Sequence, residues 1–307
     1  MANNILTKLL LKIFNKSKYS NYKYKEKLQK KLKFYNENIK DKLLTIDNAI
    51  KNKKILNFVH SGHLGDVIYS LPLIKEISKT NTCNLYIKIN KKMTLYYPDH
   101  PSGNVMINEK SANMLLPLLK SQIYLNSVEI YNNENIDIDL DLFRKMPFNL
   151  VFHSTRWYSH LTGTPIKMSE QFLDVKNMDS FKNKIVIVRS PRYRNQLINY
   201  NFLKDSRDIV CIGLKDEYEN LKKDIKNLEF YDCKDFLEMA QIIKSCKFFI
   251  GNLCFAYSIA EGLKIPRLLE TCPDFPVVFP NGDNAYDFYH QIHFEKYFNI
   301  LKNKYIN

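Results

Sequence analysis

Two glycines and an aspartate stand together in VHSGHLGD, residues 59–66, in a chain with only 8 glycines among 307 residues. Gly62 and Gly65 permit backbone conformations closed to other residues and let a bound molecule come close. Asp66 follows directly, where a carboxylate either caps the next helix or takes a proton from a bound hydroxyl. A tight turn with a capping aspartate accounts for the spacing equally well, and the G-x-G-x-x-G fingerprint of dinucleotide sites is not matched. Pro72 lies inside the apolar run that follows. Proline there removes a helical hydrogen bond, and breaches of local rules concentrate near functional sites.

A second group of candidates lies in the other half of the chain. The apolar run KFFIGN (247–252) ends in Gly251 and Asn252 and is followed by FAYSIAEGL, which contains Tyr257. A glycine at a strand end before a helix N-terminus suits an anion such as a diphosphate, and is also an ordinary strand–turn–helix. Arg189, Arg192 and Arg194 crowd into VRSPRYRNQ, although lysine supplies most of the positive charge elsewhere. Arginine in such a loop favours bidentate phosphate binding; the alternative is a basic surface loop. In CIGLKDEYENL, Gly213 and Glu217 place a carboxylate where ribose hydroxyls could donate to it.

These residues need strand ends to carry them. From residue 55 the pattern alternates between strand and helix. KILNFVH, CNLYIKIN, SVEIYNN, the strictly alternating NIDIDLDLF and FNLVFHS (148–154) read as strands, and DVIYSLPLIKEIS reads as a helix. LDVKNMDSFKNK is a polar linker, after which the alternation restarts with KIVIVRS, DIVCIGL, LEFYD, KFFIGN and PRLLE as strands. Such alternation implies right-handed βαβ units and parallel sheets, with ligands beyond the carboxyl ends of the strands. The expected class is α/β, with two Rossmann-like domains facing across a cleft. The expected boundaries are a basic helical extension over 1–54, an N-terminal domain over 55–178, a C-terminal domain over 179–285 and a helical tail over 286–307.

Charge sets the extension apart. Of a net +14, residues 1–54 hold 15 lysines against 4 acidic residues, so the body is nearly neutral. That argues against a nucleic-acid-binding body. In NILTKLLLKIF the apolar Ile5, Leu6, Leu9, Leu10, Ile13 and Phe14 fall at helical spacing with Lys8 and Lys12 opposite, a pattern that suits an anionic membrane surface or a solvated helix. No window approaches the ~18 apolar residues of a membrane span. The six cysteines show no C-x-x-C spacing, which reads as reduced thiols in a cytoplasmic protein. Asp137 and Asp139 have the D-x-D form of some metal sites, but in an alternating segment they read as an acidic strand face. No metal and no cofactor are expected.

In order along the chain, these segments resemble the heptosyltransferase-like glycosyltransferases of family nine, which have the GT-B fold. SGHLGDVIYSLPLIKEI is similar to that family's G-D-x-x-x-x-x-P helix entry, and IGNLCFAYSIAEGLKIP to its strand–Asp-Thr-Gly–helix element. GLKDE is similar to its Gly-x-x-x-Glu ribose site, and DIDLDLFR to an element late in its first domain. The resemblance covers roughly residues 55–285. It implies inverting, metal-independent transfer of a sugar from a nucleotide-diphosphate donor to a glycan or lipid-linked acceptor in cell-surface polysaccharide synthesis. The expected location is cytoplasmic, with the basic helices of residues 1–54 as the contact to the inner membrane face if they bind an anionic surface. Asp66 corresponds to the catalytic base and Glu217 to the ribose ligand. Asn252 with Gly251 and the next helix start corresponds to the diphosphate site, and Arg192 or Arg194 stands for its phosphate-contacting lysine. Ser61, Gly62, His63 and Gly65 line the loop before the base. The family's Asp-Thr-Gly reads Asn252-Leu253-Cys254 here and its following His reads Tyr257. Those departures open the alternative of a catalytically degenerate relative that binds nucleotide or glycan.

Overall fold

The computed structural model describes residues 2–93, 100–146 and 152–306. Three helices come first: α1 (Ala2–Phe14), α2 (Lys16–Asn38) and α3 (Lys40–Asn52). α3 is tied to the body through buried Ile46 and Ala49, whereas α2 buries none of its residues.

The first sheet holds β1 (Ile55–His60), β2 (Thr82–Ile87), β3 (Ser127–Ile130) and β4 (Ile138–Asp139), in the order β3-β2-β1-β4. The second holds β5 (Ile185–Val188), β6 (Ile209–Cys211), β7 (Glu229–Phe230), β8 (Phe248–Asn252), β9 (Arg267–Glu270) and β10 (Ala285–Phe288), in the order β10-β9-β8-β5-β6-β7. Every pairing within the two sheets is parallel. β5 and β8 are buried along their whole length, which is why they read as unbroken apolar runs rather than alternating ones.

Helices connect the strands: α4 (Leu64–Ile77), α5 (Glu109–Lys120), α6 (Ser154–Thr162), α7 (Lys215–Lys222), α8 (Phe236–Ser245), α9 (Phe255–Leu263) and α10 (Gln291–Tyr305). α4 runs continuously through buried Pro72. α5 is not signalled by the sequence pattern and contains Pro117. One apolar cluster extends from β1 (Phe58) through α4 (Ile68, Leu71) to α8 (Ala240), α9 (Ile259) and one face of the second sheet (Val186, Phe249). A second cluster covers that sheet's other face with Ile187, Phe248 and Ile250 against α10 (Phe294). α4 lies on α9 and α5 on α8, so the blocks share an interior.

Two sequence expectations are corrected. NIDIDLDLF pairs with β1 only at Ile138 and Asp139, after which Leu140–Lys145 turn into a 3-10 helix. Residues 285–288 form β10 beside β9 before the C-terminal helix begins. Most of the expected strand over 148–154 lies outside the described residues, and Ser154 already begins α6.

Candidate active site

The loop 61–63 leaves the carboxyl end of β1 and enters α4. His60, fully buried, accepts a hydrogen bond at Nδ1 from the Gly62 N–H at 3.0 Å. Its Nε2 therefore carries the proton and faces the Tyr158 hydroxyl at 2.9 Å, which in turn donates to the Asp66 carbonyl at 2.9 Å. Burial drives the His60 imidazole below its ordinary pKa, so it stays neutral. Gly62 is needed for close approach: a Cβ there would stand 2.7 Å from both Arg144 Nη2 and His60 Cε1. Gly65 is different. A Cβ on it would meet only Ser258 of α9, at 3.8 Å, an ordinary contact.

Asp66 is the third residue of α4. Its carboxylate accepts from the His63 N–H at 3.2 Å, which makes the capping arrangement expected of it. The same Oδ2 forms an ion pair with Arg144, from the 3-10 turn after β4. Arg144 also donates from Nε to Asp141 at 3.1 Å. Asp141 in turn accepts from Lys91 at 2.8 Å and from the Ser61 hydroxyl. Burial alone would raise the Asp141 carboxyl; the Arg144 cation and the hydrogen bonds from Lys91 and Ser61 outweigh it and hold the group well below the usual carboxylate range. Burial also opposes the Arg144 charge, and Asp66 and Asp141 overcome that and hold it firmly protonated.

The loop after β5 holds the second group of candidates. Its three arginines divide by role. Arg189 makes a two-point contact with Glu270, Nε to Oε2 at 2.7 Å and Nη2 to Oε1 at 2.9 Å, and is buried. Arg194 donates to the carbonyls of Ser190 (3.0 Å) and Arg189 (2.9 Å) and to Asn220 (2.7 Å), so it braces the loop. Arg192 turns toward the first block. Its guanidinium lies 4.5 Å from the Tyr193 ring centre, and its charge acts on His63 and His100. The His63 imidazole is pushed down to about 4, first by burial and then by Arg192 and Arg144. Burial raises the Tyr193 phenol, and the Asp66 charge adds to that rise. The start of α4 and the 192–193 turn thus lie within electrostatic reach of each other.

The remaining candidates are mostly inside. Asn252 is fully buried; its Oδ1 accepts from the Ser190 N–H at 3.0 Å and its Nδ2 donates to the carbonyls of Ser190 (2.9 Å) and Arg192 (2.8 Å). It shapes the arginine loop rather than projecting from it. Tyr257 is fully buried, with its ring near Phe249. At Gly251 a Cβ would press on the Phe249 ring at 2.7 Å, so this glycine answers to packing. Glu217 is buried and accepts from the Leu214 N–H at 3.0 Å, and Gly213 leaves the space its carboxylate occupies. Burial raises the Glu217 carboxyl. Asp137 pairs with Lys53 and accepts from the Asn57 N–H at 2.9 Å, while Asp139 caps the 3-10 turn at the Asp141 N–H, 3.0 Å away.

No protein-family model matches this sequence, and neither does any curated protein. Solved structures do. The E. coli heptosyltransferase WaaC, solved with ADP, aligns over 80% of this chain and 99% of its own, with a TM-score of 0.55 at 10% identity. The chain has the fold of a heptosyltransferase. Weaker likenesses are to the E. coli ADP-heptose LPS heptosyltransferase II (TM-score 0.47, 10% identity, 82% and 99% of the two chains) and to a glycosyl transferase of family 9 from Veillonella parvula (0.48, 10%, 81% and 89%). The likeness expected from the motifs is therefore present at the level of the heptosyltransferase fold.

Sequence reasoning missed Asp141, Arg144, Lys91 and His60 as members of this cluster. The available signal was Asp141-x-x-Arg144, a pair three residues apart directly after the acidic run. It points to a helical turn, not a strand.

Proposed function

We propose that this chain is an inverting, metal-independent glycosyltransferase. It takes a sugar from a nucleotide-diphosphate donor and passes it to a glycan or lipid-linked acceptor of the cell surface, at the inner face of the membrane. The first block, 55–178, would hold the acceptor, and the second, 179–285 with β10, the donor. The observation that carries this reading is Asp66 at the carboxyl edge of β1, within electrostatic reach of the Arg192–Tyr193 turn. Nucleotide and sugar sites in such sheets lie at that edge. The likeness in fold to a heptosyltransferase solved with ADP supports the same reading.

In this mechanism the acceptor hydroxyl oxygen attacks the anomeric carbon from the face opposite the diphosphate. Its proton passes to Asp66 as the carbon–oxygen bond to the diphosphate breaks, so the anomeric configuration inverts. Arg192 and the N–H groups at the start of α9 offset the charge that develops on the leaving diphosphate. Arg144 fixes the direction of the Asp66 carboxylate. Ser61, Gly62, His63 and Gly65 shape the loop on which the acceptor rests. Glu217 and Gly213 form the ribose end, and Asn252 holds the loop that presents Arg192.

The test is a panel of nucleotide sugars incubated with the purified protein, with donor hydrolysis and transfer followed by mass spectrometry. Asp66→Asn is expected to keep nucleotide binding and lose transfer by 100-fold or more, on the order expected for a general base. Transfer at the wild-type rate would remove Asp66 from its role. A second reading has its own support. The Asn252 side chain is fully engaged with the loop, so nothing of it is left for a diphosphate. A binding protein without turnover would take up nucleotide or glycan and neither hydrolyse nor transfer any donor.

A further inference from the structure

The first two helices are assembled in an unusual sense. α1 turns a lysine toward α2: Lys8 pairs with Glu26 at 2.7 Å, and its ammonium lies 5.8 Å from the Tyr22 ring centre. The opposite side of α1 presents Leu6, Leu9, Leu10, Ile13 and Phe14 outward, from 51% exposed at Leu10 to 79% at Phe14. A globular helix pair normally does the reverse and buries its apolar stripe. On α2, Tyr24, Leu28 and Leu32 stand one turn apart and are also exposed. An open groove of about 650 Å³ along the same helix is lined by Lys23, Lys27, Lys30 and Lys31 together with Glu26, which pairs with Lys30 at 3.2 Å.

We propose that this hairpin docks on an anionic lipid surface. The α1 ridge enters the boundary between headgroups and acyl chains, and the lysines of the extension supply the attraction to the anionic headgroups. Charge complementarity selects this occupant, because residues 1–54 carry 15 lysines against 4 acidic residues. A second copy of the chain would set lysine rows against lysine rows. A nucleic acid would engage the lysines and leave five large apolar side chains in water. An anionic bilayer surface offers both an apolar boundary and negative charge, and no described helix is long and apolar enough to cross it. Docking of this kind does not depend on the chemistry at Asp66.

Sedimentation of the full-length protein with vesicles tests the docking mode. Phosphatidylglycerol and phosphatidylcholine in equal parts should carry the protein down, phosphatidylcholine alone should not, and added salt should release it. The triple variant Leu9→Ser/Leu10→Ser/Ile13→Ser should lose affinity on the order of tenfold or more, because the apolar burial is gone. Its thermal unfolding should match the wild type, since these side chains are more than half exposed. Failure to bind anionic vesicles overturns the proposal, as does binding untouched by the triple variant. A wild-type dimer that the triple variant makes monomeric would assign the ridge to a second copy. Salt-sensitive binding of duplex DNA without vesicle binding would assign the hairpin to nucleic acid.

Discussion

Asp66 and Arg144 form an ion pair that joins the first turn of α4 to the 3-10 turn behind β4. The same guanidinium holds Asp141, so one cation compensates two carboxylates that would otherwise repel. The planar fork of arginine fixes the direction of both, which a lysine cannot do. Arg144→Met should therefore cost about 2–3 kcal/mol in chemical denaturation. Arg144→Lys should recover part of that stability and little of the transfer rate. Equal recovery of both would reduce Arg144 to a simple counter-charge.

The two loop glycines make opposite predictions. Ala at 62 drives a Cβ into His60 and Arg144, and His60 cannot yield because Tyr158 and the Gly62 N–H hold it. Gly62→Ala should lose about 1–3 kcal/mol of stability. Gly65 sits within α4 with only Ser258 nearby, so Gly65→Ala should gain up to about 1 kcal/mol from helix propensity. If the space over Gly65 receives substrate, the same change lowers transfer on the order of tenfold or more while the protein melts no earlier. A Gly65→Ala enzyme that is both stable and fully active would separate this glycine from the site.

How much of this was legible depends on what each residue answers to. β5 and β8 announce themselves because burial on both faces leaves runs of Ile, Val and Phe, closed in β8 by Gly251-Asn252. VHSGHLGD and RSPRYRN are legible as site loops because topology alone sends strand ends to one edge. The Asp141–Arg144 pair was hidden. The period-two alternation of NIDIDLDLF suits a strand, and only the brevity of its pairing with β1 turns the chain into a 3-10 helix that brings these residues to one side. Three arginines in one loop look equivalent in sequence. Glu270, seventy or more residues away, decides that Arg189 points inward, and Asn220 and two carbonyls decide the same for Arg194. Long-range partners of this kind leave no local pattern.

Asn252 illustrates a site residue that acts through another. Its three hydrogen bonds hold Ser190 and Arg192 from a fully buried position. Asn252→Leu keeps the size and removes every one of those bonds, leaving the Ser190 N–H without a partner, while the Ser190 and Arg192 carbonyls keep Arg194 and the Ser190 hydroxyl. A loss of about 1–3 kcal/mol is expected. Hydrogen exchange at the Ser190 amide should accelerate at the same time, and nucleotide affinity should weaken because Arg192 is no longer presented. Unchanged protection at Ser190 would contradict this role.

Histidines set the acid limit of the fold. His153 caps α6 by accepting the Thr155 N–H at 3.2 Å, and burial, aided by Lys264, pushes it from 6.5 down to about 4. The unfolded chain therefore binds this proton more readily than the folded one. Stability is intact above pH 6.5, declines as the pH falls below that value and has lost this group's full share near pH 4. The share is on the order of 3 kcal/mol. His63 follows the same course, since burial also lowers it to about 4. Asp141 belongs to a more acid window, because its carboxyl is held low in the fold and protonates only after the histidines have charged. His153→Asn keeps a side-chain acceptor at the cap and removes the titration. Its melting temperature should match the wild type at neutral pH and fall less steeply between pH 6.5 and 4. Parallel curves for the two proteins across that interval would show that His153 is not among the groups whose protonation unfolds the chain.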